Sequence, residues 1–167
     1  MDNELAVRAA LIDNFNDYAE GLDSKNWPLV RGCFTDEVLI DYGSLSAPSG
    51  APDVPRRADD WMQYLQGVIN GFDITRHMIT NHRVSFADSQ VSCRAYLSAD
   101  HVIFPGSPGD VLGPQDVVTV VGEYRNHYQE IGGRWVICKS ELEVHYSTGN
   151  AALFLTAAER VAAARSG

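Results

Sequence analysis

Basic residues are scarce in this chain: 13 lysines and arginines stand against 22 aspartates and glutamates among 167 residues, a formal net charge of −9. Nucleic acid and anionic membranes both demand a positively charged footprint, so this balance excludes them as default partners. A neutral or weakly polar small molecule is the partner it favours. Cysteine is scarce too. Cys33, Cys93 and Cys138 are odd in number and far apart, without a Cys-x-x-Cys or a histidine at a zinc-site interval, which excludes a disulfide framework and a thiolate metal site. They read as reduced core thiols. No apolar run reaches the length a bilayer requires, and the start MDNELAVRAALIDNF is broken by charge, so neither a spanning helix nor a signal peptide is expected. The expected location is the cytoplasm. Internal repeats and low-complexity segments are also missing.

What remains is 45% hydrophobic and 21% charged, enough for one domain with a sizeable core. The expected domain spans 1–167, with its core over about 4–147. From residue 2 to about 20, Leu5, Ala9, Ile12, Phe15, Ala19 and Leu22 recur at three- and four-residue steps, which predicts an amphipathic helix ending at Gly21. A second helix is predicted over 27–34, with Ser24 as its cap and Pro28 in its first turn. The β-rich run VLIDY follows, then a loop over 43–55 holding three of the seven prolines. Ala58, Trp61, Met62, Leu65, Val68 and Ile69 give a helix over 56–70, for which Gly71 is a suitable stop.

After residue 71 the apolar period changes to two. Strands are predicted near 75–87, 90–104, 115–131 and 134–147, with turns at Ala87-Asp88-Ser89, over 105–114 and at Ile131-Gly-Gly-Arg134. A last helix is placed over about 151–164. Helices first and antiparallel strands after them predict an α+β fold, in which a long curved sheet wraps the front helices and leaves a pocket between the layers.

Strand parity says which side chains face that pocket. Tyr42 shares the parity of Val38 and Ile40 and is predicted inward. Val91, Cys93, Ala95, Leu97, Ala99, His101 and Ile103 share a face, which sets His101 among small apolar neighbours. Val118, Val120, Gly122, Tyr124 and Tyr128 form another such face, and Val136, Cys138, Leu142, Val144 and Tyr146 a third. Parity does not place His77, because Met78, Val84 and Phe86 oppose His77 and Ile79 and a bulge could turn either set inward. His82, His127 and His145 read as surface or interface residues. Asp23 has two local readings, a helix-terminal cap or a carboxylate on the apolar side of the first helix.

The order of elements, YAEGLDSKNWPLVRGCFTDEVLIDYG (18–43), TRHMITNH (75–82) and the YQEIGGRWVI hairpin (128–137) resemble the SnoaL-like branch of the nuclear transport factor 2-like superfamily. Its scytalone dehydratase and bile-acid 7α-dehydratase members are the nearest in pattern. The resemblance covers most of 4–147 and implies a cone-shaped, curved antiparallel sheet, an α+β barrel, enclosing an apolar cavity capped by the N-terminal helices. It also implies an Asp–His pair inside the cone, matching Asp23 and His77. Scytalone dehydratase's tyrosine falls on Tyr42 and its second histidine on His101, and the bile-acid enzyme's tyrosine falls on Tyr18. Two departures, Leu22 before the aspartate and Gly122 and Tyr124 on the later strand, make the scytalone substrate itself an unsuitable expectation.

Elimination next to a carbonyl needs a base of near-neutral pKa, a carboxylate to hold its tautomer, and fixed donors for the enolate oxygen. The resemblance implies His77 as base, Asp23 as its orienter, and Tyr42 and Tyr18 as donors. His101 is either a second acid or a core histidine. Leu97, Val120, Tyr124 and Trp61 are the expected substrate-lining residues. No metal or cofactor is called for, since the chemistry runs on protons alone. The implied activity is a dehydratase-like lyase acting on a hydrophobic cyclic, polyketide- or steroid-like substrate. The same parts would serve an isomerase or a polyketide cyclase, and a noncatalytic binding or assembly domain is the other reading of this fold. The family also implies a homo-oligomer, dimer or trimer.

Overall fold

The computed structural model describes residues 2–87 and 90–167, so the predicted turn at Ala87-Asp88-Ser89 lies partly outside the described residues. Helix α1 (Asp2–Asp23) is followed by α2 (Trp27–Gly32), strand β1 (Phe34–Asp41), two short 3-10 turns within 43–49, β2 (Arg56–Arg57) and α3 (Ala58–Ile69). The remainder is β3 (Ile74–Ala87), β4 (Gln90–Val102), β5 (Val117–Ile131), β6 (Arg134–Gly149) and α4 (Leu153–Ser166). Among the described residues no helix is long and apolar enough to cross a membrane.

The six strands form one curved sheet in the order β2-β1-β6-β5-β4-β3. Strands β3 to β6 make an antiparallel meander, but β1 runs parallel to β6, so the sheet is mixed rather than wholly antiparallel. It also stays open as a half-cone instead of closing into a barrel, with β2 and β3 at its edges. The Gly132-Gly133 turn between β5 and β6 has both residues at positive φ, 59° and 78°, the geometry of a two-residue hairpin that glycine adopts without strain.

Helix α1 corrects its predicted face. Leu5 is 70% exposed, and the buried stripe is Val7, Leu11, Phe15, Tyr18 and Leu22, at steps of four, four, three and four. Both stripes share Phe15 and Leu22, and Ala19 of the predicted stripe is buried as well, but the stripe that also buries Leu11 and the Tyr18 ring removes more apolar area from water. Nor does Gly21 end the helix, which continues to Asp23. Gly21 is instead where α2 comes closest: a Cβ there would lie 2.6 Å from Val30 Cγ2. The cap of α2 is Asn26, whose side chain accepts from the Leu29 N–H, whereas the Ser24 hydroxyl donates back to the Glu20 carbonyl at 2.6 Å.

Two bulges correct strand parity. In β3 the register slips between Thr80 and Arg83, with Asn81 at φ 57°, so Thr75, His77 and Ile79 turn inward before the slip and His82 and Val84 after it. His82 is therefore half-buried against Phe15, with ring centroids 5.3 Å apart, and not on the surface. In β6 the register slips opposite His127/Tyr128 and again opposite Val121/Gly122. Ile137 consequently turns inward while Cys138 is only half-buried, Ser140 keeps the inward parity of Leu142, and Val144 and Tyr146 are exposed.

Helix α4 buries Leu153, Ala157 and Val161, and it runs on past Arg160, which donates to the Gly71 carbonyl at 2.9 Å. At Gly71 an added Cβ would stand 1.9 Å from the Ala157 carbonyl oxygen, and backbone does not yield as a side-chain tip does. Gly71→Ala is therefore expected to destabilise the protein by about 1–3 kcal/mol, read as a lower urea midpoint, although alanine outside a glycine-requiring turn is usually neutral or helpful.

Candidate active site

The inner face of the sheet, α1 and α3 enclose an apolar cavity of about 260 Å³. Tyr18 and Leu22 of α1, Trp61 of α3, His77 of β3, His101 of β4 and Tyr124 of β5 are among the residues that line it. Tyr42, Leu97 and Val120 line it too. Of the residues singled out from the sequence, Asp23 alone does not touch the cavity. It stands behind His77, beside a shallow outer groove formed with Glu20, Ser24 and Arg76.

That position follows from the sheet edge. Strand β3 pairs with β4 on one side only, and the end of α1 lies along the other, so the outward N–H groups of β3 need acceptors. The Asp23 carboxylate supplies them. It accepts from the His77 backbone N–H at 2.9 Å, from the Thr75 hydroxyl at 2.9 Å, and from the His77 ring at Nδ1, 2.7 Å away. Burial works against its charge, but the His77 ring and backbone hydrogen bonds, the His77 charge and Thr75 outweigh it and hold the carboxyl below its usual range. An ionised carboxylate only accepts, so Nδ1 donates in that bond, and in the neutral form of the ring Nε2 keeps its lone pair.

His101 packs between Phe72 and Phe154, each with ring centroid 5.0 Å from its own, and stands 5.4 Å from His77. Its Nδ1 has no hydrogen-bond partner among the described residues. Burial first, and the neighbouring His77 charge second, push its pKa down to about 4. The ring is thus neutral at pH 7. Since the folded pKa lies below the ordinary 6.5, the unfolded chain binds the extra proton as pH falls from 6.5 to 4, and stability declines across that window. The expected loss is about 3 kcal/mol, checked by chemical unfolding between pH 7 and 4, and His101→Phe should flatten the decline.

Three buried phenols, Tyr18, Tyr42 and Tyr124, meet edge-on elsewhere on the wall, with centroids about 6 Å apart. Desolvation raises the pKa of all three, so each keeps its proton. Tyr42 also packs edge-on to Trp61, which stacks on Tyr64. Sequence reading missed several contributors. Asn126 shares the inward parity of Tyr124 and Tyr128, and Ser140 that of Leu142, so both signals were available; Thr75 is buried through the edge contact just described. Phe154 reaches the cavity from α4, whose packing partner no local pattern names. Of the remaining histidines, His127 pairs with Glu141 at 3.0 Å and His145 is exposed.

An open curved sheet backed by N-terminal helices, with a carboxylate-held imidazole on the wall of an apolar cavity, defines a nuclear transport factor 2-like α+β protein. The chain belongs to the SnoaL-like domain family, whose sequence profile matches residues 3–141. Among solved structures it is similar to the Kfla4162 protein of Kribbella flavida, at 28% identity and TM-score 0.73 over 89% of this chain and 96% of that one. It is similar in fold to a candidate scytalone dehydratase from Novosphingobium aromaticivorans, at 19% identity and TM-score 0.69 over 89% and 95%. A type 2 hexachlorocyclohexane dehydrochlorinase, LinA, shares the fold at 18% identity and TM-score 0.69 over 89% and 91%. No curated protein sequence matches the chain.

Proposed function

We propose that this protein is a cofactor-independent lyase that removes water next to a carbonyl in a hydrophobic cyclic substrate. The observation that carries the reading is the 2.7 Å contact between Asp23 Oδ1 and His77 Nδ1, made by a ring that lines an apolar cavity. A binding module alone has no need of an oriented base on its cavity wall. In the proposed step His77 Nε2 takes the α-proton, and the electron pair moves onto the carbonyl oxygen, where the phenol cluster of which Tyr18 and Tyr42 are part stabilises the enolate by hydrogen bonding. The enolate then collapses, the C–O bond to the β-hydroxyl breaks, and the departing hydroxide takes the same proton back from His77 to leave as water. Asp23 steadies the intervening imidazolium. His101, held neutral by burial, serves the wall as a neutral ring, so proton return falls to His77.

A single base and phenol donors would also serve double-bond migration or ring closure. The test is therefore a panel containing 3-hydroxycyclohexanone, β-hydroxyacyl thioesters and a β,γ-unsaturated ketone, followed by conjugated-product absorbance. Asp23→Asn is expected to lower turnover by about 10- to 100-fold, the worth of one charge-assisted hydrogen bond. Unchanged turnover in Asp23→Asn would remove the dyad from the reaction, and turnover of the unsaturated ketone alone would favour the isomerase. Binding without turnover of any panel member would leave a noncatalytic carrier.

We propose further that the chain is a single domain, spanning 1–167, that works as a cytoplasmic homo-oligomer, a dimer or trimer. The large apolar side chains of Met78, Tyr96 and Tyr146, left exposed on the sheet, support it as surface that a partner copy would cover. Light scattering on the purified protein measures the mass directly.

A further inference from the structure

We propose that Asn126 and Ser140 are positioning residues that order the protons of the phenol cluster, committing the Tyr42 proton inward and leaving Tyr18 as the donor to the substrate oxygen. The proposal rests on the reading of the cavity as a site for a carbonyl substrate. Asn126 on β5 and Ser140 on β6 oppose each other across the ladder, are 2% and 1% exposed, and do not line the cavity. Two wholly buried polar side chains behind a tyrosine therefore act through that tyrosine or not at all.

The proton order follows from counting. The Ser140 hydroxyl donates to Asn126 Oδ1 at 2.6 Å, and a hydroxyl has one proton to give. Tyr42 and Ser140 are 2.9 Å apart between oxygens, so the donor in that bond must be Tyr42. Tyr42 has then given its own proton away, and the 3.4 Å contact between the Tyr18 and Tyr42 oxygens must be donated by Tyr18. All three protons point toward Asn126, the acceptor that ends the chain.

The bonds are not equal. The inner two lie within the usual O–H···O range of about 2.5–3.0 Å, while the Tyr18–Tyr42 contact lies beyond it. A substrate oxygen can thus capture the Tyr18 proton by breaking a weak bond. Capturing the Tyr42 proton would strip a buried Ser140 oxygen of its donor. Tyr42 is left as an acceptor and a wall, and Tyr18 as the residue that meets the developing negative charge.

The experiment uses 4-nitrophenol, whose anion mimics an enolate oxygen and is distinguished from the neutral form by absorbance. Wild-type protein is expected to bind the anion, and Tyr18→Phe to weaken that binding about tenfold or more, whereas Tyr42→Phe leaves it within about twofold. Ser140→Ala removes the acceptor that engages Tyr42, so the Tyr18→Phe/Ser140→Ala pair should regain most of the lost affinity as the Tyr42 proton becomes free. A merely structural role for Ser140 would move affinity the other way. Equal losses in Tyr18→Phe and Tyr42→Phe, no recovery in the pair, or no binding of the anion by wild type would each overturn the proposal. Should the Ser140→Ala pair fail to fold, the comparison of the two phenylalanine variants decides alone. Nitrophenol carries no leaving hydroxyl, so a protein that binds it through Tyr18 yet eliminates nothing would keep the proton order and lose only the dehydratase reading.

Discussion

His77→Ala is expected to lower turnover of the responsive β-hydroxy ketone by about 10²–10⁴-fold, the usual worth of a positioned general base. The loss should fall on kcat more than on KM. His77 is one of several residues on the cavity wall, and most of the rest of it, Leu22, Leu97, Val120 and Trp61 included, is untouched by the substitution. The fold should survive as well, because the backbone N–H of residue 77 still donates to Asp23 and holds the β3 edge to α1. Urea unfolding of the variant measures this directly: a midpoint close to wild type together with lost turnover assigns the effect to chemistry. His77→Gln offers a further control, since it restores polarity and a donor for Asp23 but supplies no base, and it should stay as inactive as alanine. Turnover within twofold of wild type in either variant would dismiss the imidazole as the base.

Phe15→Ala carries the second large expectation, a loss of about 3–5 kcal/mol against the roughly 5–15 kcal/mol by which a domain of this size is stable. Phe15 is wholly buried and sits edge-on to His82 and near Tyr124, joining α1 to β3 and to the centre of the sheet. Removing the ring leaves a void bounded by His82 on β3 and by Tyr124 on β5, whose other side lines the cavity. Chemical denaturation should show a large drop in midpoint with the slope unchanged. A loss under 1 kcal/mol would mean that α1 is held by its ends and not by this contact. For the proposed reaction the consequence is direct, as α1 carries both Tyr18 and Asp23.

Much of this arrangement was legible in the residues. The Gly132-Gly133 hairpin, the buried face of α3 and the inward positions of Leu97, His101, Val120 and Tyr124 follow from turn chemistry and from periods of two and 3.6, which are local properties of the chain. Tyr42 is inward for the same reason. Where a strand holds its register along its whole length, as β4 does against β5, parity gives the direction of the residues from Cys93 to His101.

Wherever register slips, parity fails, and the slips cluster near the site. The bulge at Asn81 decides that His77 and Val84 can both face inward from one strand, and the slips in β6 bring Ile137 in and turn Tyr146 out. The end of α1 escapes the local pattern because Gly21 reports a close helix approach and not a stop, a fact about Val30 and invisible in the local sequence. A family resemblance pointed to Asp23 and His77 together, but no period or spacing in the chain joins residues 54 apart.

By itself the sequence determined the order of elements, the α+β class and the apolar lining, since hydrophobic period, turn residues and side-chain alternation act over a few residues. Only the tertiary structure decided that Asp23 stands behind His77 at the uncovered edge of β3, and that Asn126 and Ser140 stand behind Tyr42. Those contacts form between elements brought together by packing, and a hydrogen bond needs its partners within a few tenths of an ångström, a precision that hydrophobic pattern does not carry.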